Sequence, residues 1–197
     1  MDNARKALAK KYNFDIKKLQ YMEQFHSNIV KIVNDINPNK CDALITNKTN
    51  TPLMVMVADC IPILFFDPIK KVIGVAHAGR EGTFNNIIKN TIDKMIEAYN
   101  CEPKDIEVEL GPSIQKCCYE VSEQMAKFTK DTFGKEFVNQ RYIDLQGINK
   151  MQLLKKGIKQ NNISILNICT KDSKKTYFSY RNNPKCGRFA GLIMINE

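Results

Sequence analysis

Between Asp42 and His77 the chain passes through four short runs rich in Val, Ile, Leu and Phe: Asp42–Thr46, Leu53–Ala58, Ile63–Phe66 and Val72–His77. The stretches between them are too short to hold a helix, and Asp67-Pro68 turns the chain between the last two. This segment therefore has to fold as sheet. Two further alternations precede it, around Tyr21–His26 and Asn28–Val33, and Asn37-Pro38-Asn39 reads as a turn. Residues 2–12 read as a helix, with Ala4, Ala7, Leu8 and Lys11 at helical spacing. Residues 84–99 predict one amphipathic helix, with Ile87, Ile88, Ile92, Met95, Ile96 and Tyr99 on a single face. A strand at 106–110, stopped by Gly111-Pro112, precedes helices near 122–132 and 146–156, the second closed by Gly157. Strands near 163–168 and 189–195 complete the pattern. Strands outnumber helices, and both hairpin-like and helix-connected pairs occur. The expected fold is α+β, one domain over residues 1–197, with a mixed β-sheet core flanked by helices.

A chain of 197 residues, 43% of them apolar, is long enough for one buried core. It has no run of about eighteen apolar residues, so no membrane span is expected. Its first dozen residues lack an apolar stretch followed by a small-residue cleavage site, and a cytoplasmic location is expected. The formal charge of +9 raises the question of nucleic acid. The lysines, however, are scattered in pairs such as Lys70-Lys71, Lys155-Lys156 and Lys174-Lys175, with no interleaved aromatic platform. A solvated surface is the reading, and attraction to small anions stays open. Seven cysteines, an odd number with no CxxC among them, argue against a disulfide framework, a zinc ribbon or a thioredoxin-type motif.

Only two histidines exist, His26 and His77, and both close strand-like runs; Cys60 ends the run that begins at Leu53. Strand ends facing loops are where rigid scaffolds present reactive groups. Two imidazoles and a thiolate suit tetrahedral zinc with one open position. Their separation far exceeds that of a zinc finger, so a buried, inert Cys60 remains the competing reading. In His77-Ala78-Gly79-Arg80-Glu81-Gly82-Thr83, a strand meets a turn and a helix opening near Thr83, which serves either as an anion cradle or as a simple cap. Asp59 is open to three roles: general base, orienting group or strand-end cap. Cys117-Cys118 reads as a packing or loop-ordering pair, because adjacent side chains diverge. Arg181 and Arg188 fall on loops, where a guanidinium grips phosphate or carboxylate, or simply faces water.

Taken in order, these segments resemble one family closely. The match begins at Asp2-Asn3-Ala4-Arg5 and Glu23-Gln24-Phe25-His26-Ser27, and continues through Cys41–Thr46, Ala58-Asp59-Cys60-Ile61-Pro62 and Ala76-His77-Ala78-Gly79. Gly111-Pro112-Ser113-Ile114, Cys117–Val121, Asp144-Leu145 with Asn149 and Gln152, Cys169-Thr170, Phe178–Arg181 and Gly187-Arg188 follow. The chain is similar to the YfiH-like, or multicopper polyphenol oxidase (laccase), family, also called the peptidoglycan editing factor family. The resemblance implies that His26, Cys60 and His77 hold zinc, with copper as the alternative occupant, and that Arg80, Arg181 and Arg188 face substrate. It implies phosphorolysis of adenosine, inosine and S-methyl-5′-thioadenosine together with adenosine deamination, with Cys60, His77 and Asp59 as catalytic residues. The partners implied are a nucleoside and phosphate, with no nucleic acid and no membrane. Two departures are visible. Arg80-Glu81-Gly82 stands where the family has Trp-Arg-Gly after His-Ala-Gly, and the family's N-terminal segment with an arginine before paired glycines has no counterpart.

Two rival readings belong to other classes. The fold also looks like that of toxin deamidases with a Cys–His pair. That similarity supports a cysteine hydrolase acting on cell-wall precursors, with Cys60 as nucleophile and His77 as base. Copper-dependent phenol oxidation is the third class, opposed by the poverty of histidine and the absence of His-x-His pairs.

Overall fold

The short apolar runs pair into two mixed sheets. The computed structural model describes residues 2–33, 38–173 and 176–196, so that Asn37 of the expected turn and the pair Lys174-Lys175 lie outside the described residues. The larger sheet has six strands in the order β11 (Ile163–Ile165), β8 (Glu107–Leu110), β6 (Ile61–Asp67), β7 (Val72–Ala78), β4 (Ala43–Thr46) and β2 (Val30–Ile32). The smaller has four, β12 (Phe189–Ile193), β5 (Leu53–Val57), β1 (Gln20–Glu23) and β3 (Asn39–Lys40). Strands β6, β7 and β4 are antiparallel neighbours, whereas β2 runs parallel to β4 and β11 parallel to β8. In the smaller sheet β12 is antiparallel to β5, and β1 lies parallel to both β5 and β3.

The two sheets pack face to face. Met22, Leu53 and Val55 of the smaller sheet meet Leu44, Ile73 and Val75 of the larger. On its other face the larger sheet presents Ile45, Ile63 and Phe65 to Ile88, Ile92 and Met95 of α3 (Ile87–Tyr99) and to Ile148 and Leu153 of α5 (Leu145–Lys155). Leu44 and its neighbour Ile45 thus enter opposite cores, as the period of two along a strand requires. Strand β7 is covered on both faces and buried along its whole length. The result is the expected α+β domain, layered as small sheet, large sheet and helices.

The expected helix over 84–99 begins three residues later, as α3, and a separate short helix precedes it. α2 (Arg80–Phe84) stops at Asn85, and Asn86 adopts a left-handed conformation with φ 63° before α3 begins. Asparagine is one of the few residues that tolerates this region. The break is held from outside: Asn28 Nδ2 donates to Asn85 O at 2.9 Å, and Gln152 Nε2 donates to Thr83 O at 2.9 Å. Helix α1 (Asp2–Tyr12) matches expectation, with the Arg5 guanidinium lying 3.8 Å from the centroid of the Tyr21 ring. Helix α4 (Glu123–Phe133) is capped by Ser122, whose Oγ accepts from Met125 N at 3.2 Å. A small hairpin, β9 (Val138–Asn139) with β10 (Tyr142–Ile143), was not anticipated. No helix among the described residues is long and apolar enough to cross a membrane.

One connection decides where the chemistry sits. β5 belongs to the small sheet and β6 to the large one, and only Ala58, Asp59 and Cys60 join them. So abrupt a passage needs an unusual backbone, and Asp59 supplies it with φ 82°.

Candidate metal centre and cleft

Three chain segments arrive at this seam. Cys60 comes from the inter-sheet connection. His77 lies inside β7, paired in register with Pro62, rather than beyond the strand end. His26 lies three residues past the end of β1, in a turn with φ 63°. Gln24 makes that turn possible: its side-chain amide donates to Met56 O at 2.8 Å and accepts from Met56 N at 2.9 Å, closing the ladder so that the backbone is free to leave it.

The loop is then wrapped around a buried acid that the sequence reading passed over. Asp42 is fully buried, and its carboxylate accepts from the backbone N–H groups of Phe25, His26 and Ser27 at 3.3, 3.1 and 2.7 Å. It also accepts from Ser27 Oγ at 2.7 Å and from His77 Nδ1 at 2.8 Å. The backbone repeats the link, His77 N donating to Asp42 O at 2.8 Å. Asp42 therefore fixes both histidines, one through its loop and one through its ring. The only sequence sign was a lone acid opening an otherwise apolar run.

With Nδ1 of His77 engaged, its Nε2 is the nitrogen left for coordination. His26 Nε2 stands 3.9 Å from Cys60 Sγ, the two imidazole centroids are 4.8 Å apart, and the three donor atoms all lie within 4.8 Å of one another. A tetrahedral zinc with one sulfur and two nitrogens would place S and N about 3.6 Å apart. The donor set fits such an ion. Gly79 forms the floor: a Cβ built there would lie 2.9 Å from Cys60 Sγ and 3.0 Å from His26 Cδ2. The carboxylate behind His77 is the usual partner of a metal-binding imidazole.

Electrostatics bear on the same three residues. Burial pushes the Cys60 thiol up, but hydrogen bonds and charge from His26 and His77 outweigh it and bring the thiol down to about 6. For His77 burial opposes the proton, yet Asp42 and Cys60 raise its pKa to about 9. Asp42, penalised by burial, is held down at about 2 by His77 and Ser27.

Around the donor atoms opens a cleft of about 650 Å³. Met22, Met56 and Val57 form an apolar wall, while Tyr119 and Tyr180 offer rings. The three arginines singled out from sequence all line it. Arg80 is ion-paired with its neighbour Glu81, which also lines the cleft. Arg181 Nη1 donates to Glu120 O at 2.9 Å, with its guanidinium 5.3 Å from the centroid of Tyr119. Arg188 Nη1 donates to Cys186 O and Gly187 O, each at 3.0 Å. Asp59 lines the cleft as well, but both its oxygens are engaged: Oδ1 accepts from Thr170 Oγ1 at 2.6 Å and Oδ2 from Arg181 N at 2.7 Å. The helix start expected near Thr83 lies instead at Arg80. Thr83 is buried, its amide donating to Gly79 O at 2.9 Å and its hydroxyl accepting from Asn149 Nδ2 at 3.0 Å, so no anion cradle forms there.

Known proteins share this arrangement of segments. A profile of the family described as multi-copper polyphenol oxidoreductase laccase matches residues 1–196. Purine nucleoside phosphorylase CA_C1699 of Clostridium acetobutylicum is 37% identical over 193 residues, which cover 92% of this chain and 78% of that protein. Purine nucleoside phosphorylase YlmD of Bacillus subtilis is 29% identical over 212 residues, covering 98% and 76% respectively. Among solved structures, the hypothetical protein YfiH of Bacillus licheniformis superposes with a TM-score of 0.90 at 26% identity, covering 98% of this chain and 80% of its own. With the match running over residues 1–196 and the fold shared, the chain belongs to the multi-copper polyphenol oxidoreductase laccase family.

Proposed function

We propose that the protein is a zinc-dependent purine nucleoside phosphorylase that cleaves adenosine, inosine and S-methyl-5′-thioadenosine and also deaminates adenosine. The observation that carries this reading is the convergence of His26, Cys60 and His77, donor atoms within 4.8 Å, on a cleft lined by arginines and tyrosines. The names of the Clostridium and Bacillus relatives support the reaction class. His26, Cys60 and His77 would hold the ion, which when bound supplies Lewis acidity and activates water. Copper is the alternative occupant, but two histidines in the whole chain do not furnish a multicopper cluster.

The chain's own groups account for substrate. Met22, Met56 and the rings of Tyr119 and Tyr180 suit a flat, apolar purine. Arg80, Arg181 and Arg188 suit phosphate, which attacks the ribose C1′ as the bond from C1′ to the purine nitrogen breaks and its electron pair leaves with the base. Of the roles open to Asp59, its two engaged oxygens favour orientation: it holds the backbone that carries Arg181. All seven cysteines are free, consistent with work in the cytoplasm. Incubation of zinc-loaded protein with adenosine and phosphate should release adenine, and adenosine alone should yield inosine. If neither product forms, the reading fails.

One observation favours a second reading. A thiol held near 6 beside an imidazole that is itself backed by Asp42 is the arrangement of a cysteine hydrolase. In that case a metal-stripped protein would retain amidase activity on a cell-wall precursor, an electrophile would trap Cys60, and added zinc would inhibit.

A further inference from the structure

A second group of donors lies outside the cleft. Cys117 and Cys118, expected to diverge, instead place their sulfurs 3.5 Å apart. Cys169 joins them from a distant part of the chain, and the three sulfurs all lie within 4.8 Å of one another. Backbone structure holds the meeting point. Ser113 and Cys169 form a parallel bridge, with Ser113 N donating to Ile168 O at 3.2 Å and Thr170 N to Ser113 O at 3.0 Å. Cys118 N and Tyr119 N both donate to Gln115 O at 2.8 Å, which tightens the turn that aims the paired sulfurs. The thiols are reduced, and Cys117 is exposed to solvent.

We infer that Cys117, Cys118 and Cys169 form a second metal site, an all-sulfur site for a thiophilic cation of the Cu⁺ and Zn²⁺ class. Three sulfurs each about 2.3 Å from one ion stand roughly 3.8–4.0 Å apart, within the spread already present. Soft thiolates select this class of ion over Mg²⁺, Ca²⁺ or Mn²⁺. Three sulfurs with no fourth side-chain donor grouped with them among the described residues suit trigonal Cu⁺ directly, or Zn²⁺ completed by water. Coordination takes the three sulfurs as thiolates, so binding releases their protons to solvent. Lys171 lowers the cost of gathering negative charge beside Cys118.

The site is wired to the cleft. Thr170, next to Cys169, donates to Asp59, and Ile114 N donates to Asp59 O at 2.9 Å; Asp59 adjoins Cys60, and Tyr119 follows Cys118 into the cleft wall. An ion on the three sulfurs would stiffen the loop that carries Tyr119 and the strand end that carries Thr170.

The test uses the full chain, reduced and kept anaerobic, with Zn²⁺ and Cu⁺ offered separately. Native mass spectrometry should count about two ions per chain in the unaltered protein and about one in Cys60→Ser, and X-ray absorption on that variant should show three sulfurs around the retained ion, alone or with one light atom, and no imidazole. Cys117→Ser and Cys169→Ser should each lose that ion while keeping a mixed nitrogen and sulfur shell; the exposed Cys117 gives a variant whose folding is not at stake. A shell of three sulfurs alone identifies Cu⁺, and an added light atom identifies Zn²⁺; either supports the site. A Cys60→Ser protein that binds no ion overturns it, as does undiminished stoichiometry in both Cys117→Ser and Cys169→Ser. So does a disulfide among these three thiols that persists in reductant.

Discussion

Nδ1 of His77 lies 2.8 Å from Oδ1 of Asp42, and the same carboxylate collects three successive amides of the loop that presents His26. One buried acid therefore sets the positions of two donors that are distant in sequence. Replacing it with asparagine keeps the shape but removes the charge, and leaves an amide group where only acceptors are wanted. Asp42→Asn should weaken zinc binding by about 10- to 100-fold. A chelator competition titration measures this, and unchanged affinity would show that the carboxylate does not orient the histidines.

Gly79 packs against two of the three donors. Gly79→Ala introduces a methyl group 2.9 Å from Cys60 Sγ and 3.0 Å from His26 Cδ2, closer than atoms normally approach. The backbone there has φ −78°, so the residue itself is not strained. The variant should keep its circular dichroism spectrum and lose most of its bound metal. Retention of a full equivalent would mean that the donors do not share an ion above Gly79.

In metal-free protein the Cys60 thiol should become reactive as pH rises through about 6, because the imidazoles of His26 and His77 outweigh its burial. The direction is that of a depressed acid: thiolate dominates above that pH and is lost below it. Cys41 and Cys101, pushed up to about 12 chiefly by burial, should stay silent. Alkylation rates read peptide by peptide across the pH range decide the point. A rise for Cys60 only near the ordinary thiol value of about 8.5 would contradict the pairing.

Asp59→Asn tests orientation against proton transfer. Asparagine tolerates the positive φ, so the backbone should survive, while the charge that holds Arg181 N and Thr170 Oγ1 disappears. An orienting role predicts a rise of about tenfold in KM for phosphate with kcat nearly unchanged and metal content intact. A collapse of kcat at constant KM would instead make Asp59 the base.

Much of this molecule could be read before it was seen. The helix at 2–12 and the apolar runs between Asp42 and His77 were legible because each carries its own periodicity, and the triad of His26, Cys60 and His77 because the ordered motifs around it are specific. The split at Asn86 was not, since Ile87 to Tyr99 keep one face whether or not the preceding turn is continuous. The hairpin of two-residue strands at Val138 and Tyr142 is too short to show alternation. Asp42 looked like the polar start of a strand; its importance lies in partners 15 to 35 positions away. The sulfur cluster depends on the bridge between Ser113 and Cys169, a purely tertiary event.

The three-residue passage from β5 to β6 makes the chemistry sensitive to the slip of one sheet over the other. His77 belongs to the larger layer and Asp42 ties the His26 loop to that same layer, whereas Cys60 rides on the passage between the two, so a slip of one layer over the other would alter the distances from the Cys60 sulfur before it altered the spacing of the two imidazoles. Ile73→Val, in the inter-sheet core, costs only about 1 kcal/mol of stability, yet it should disturb the spectrum of a bound ion far below the melting temperature. The ion would act as a gauge of how two layers of hydrocarbon are aligned.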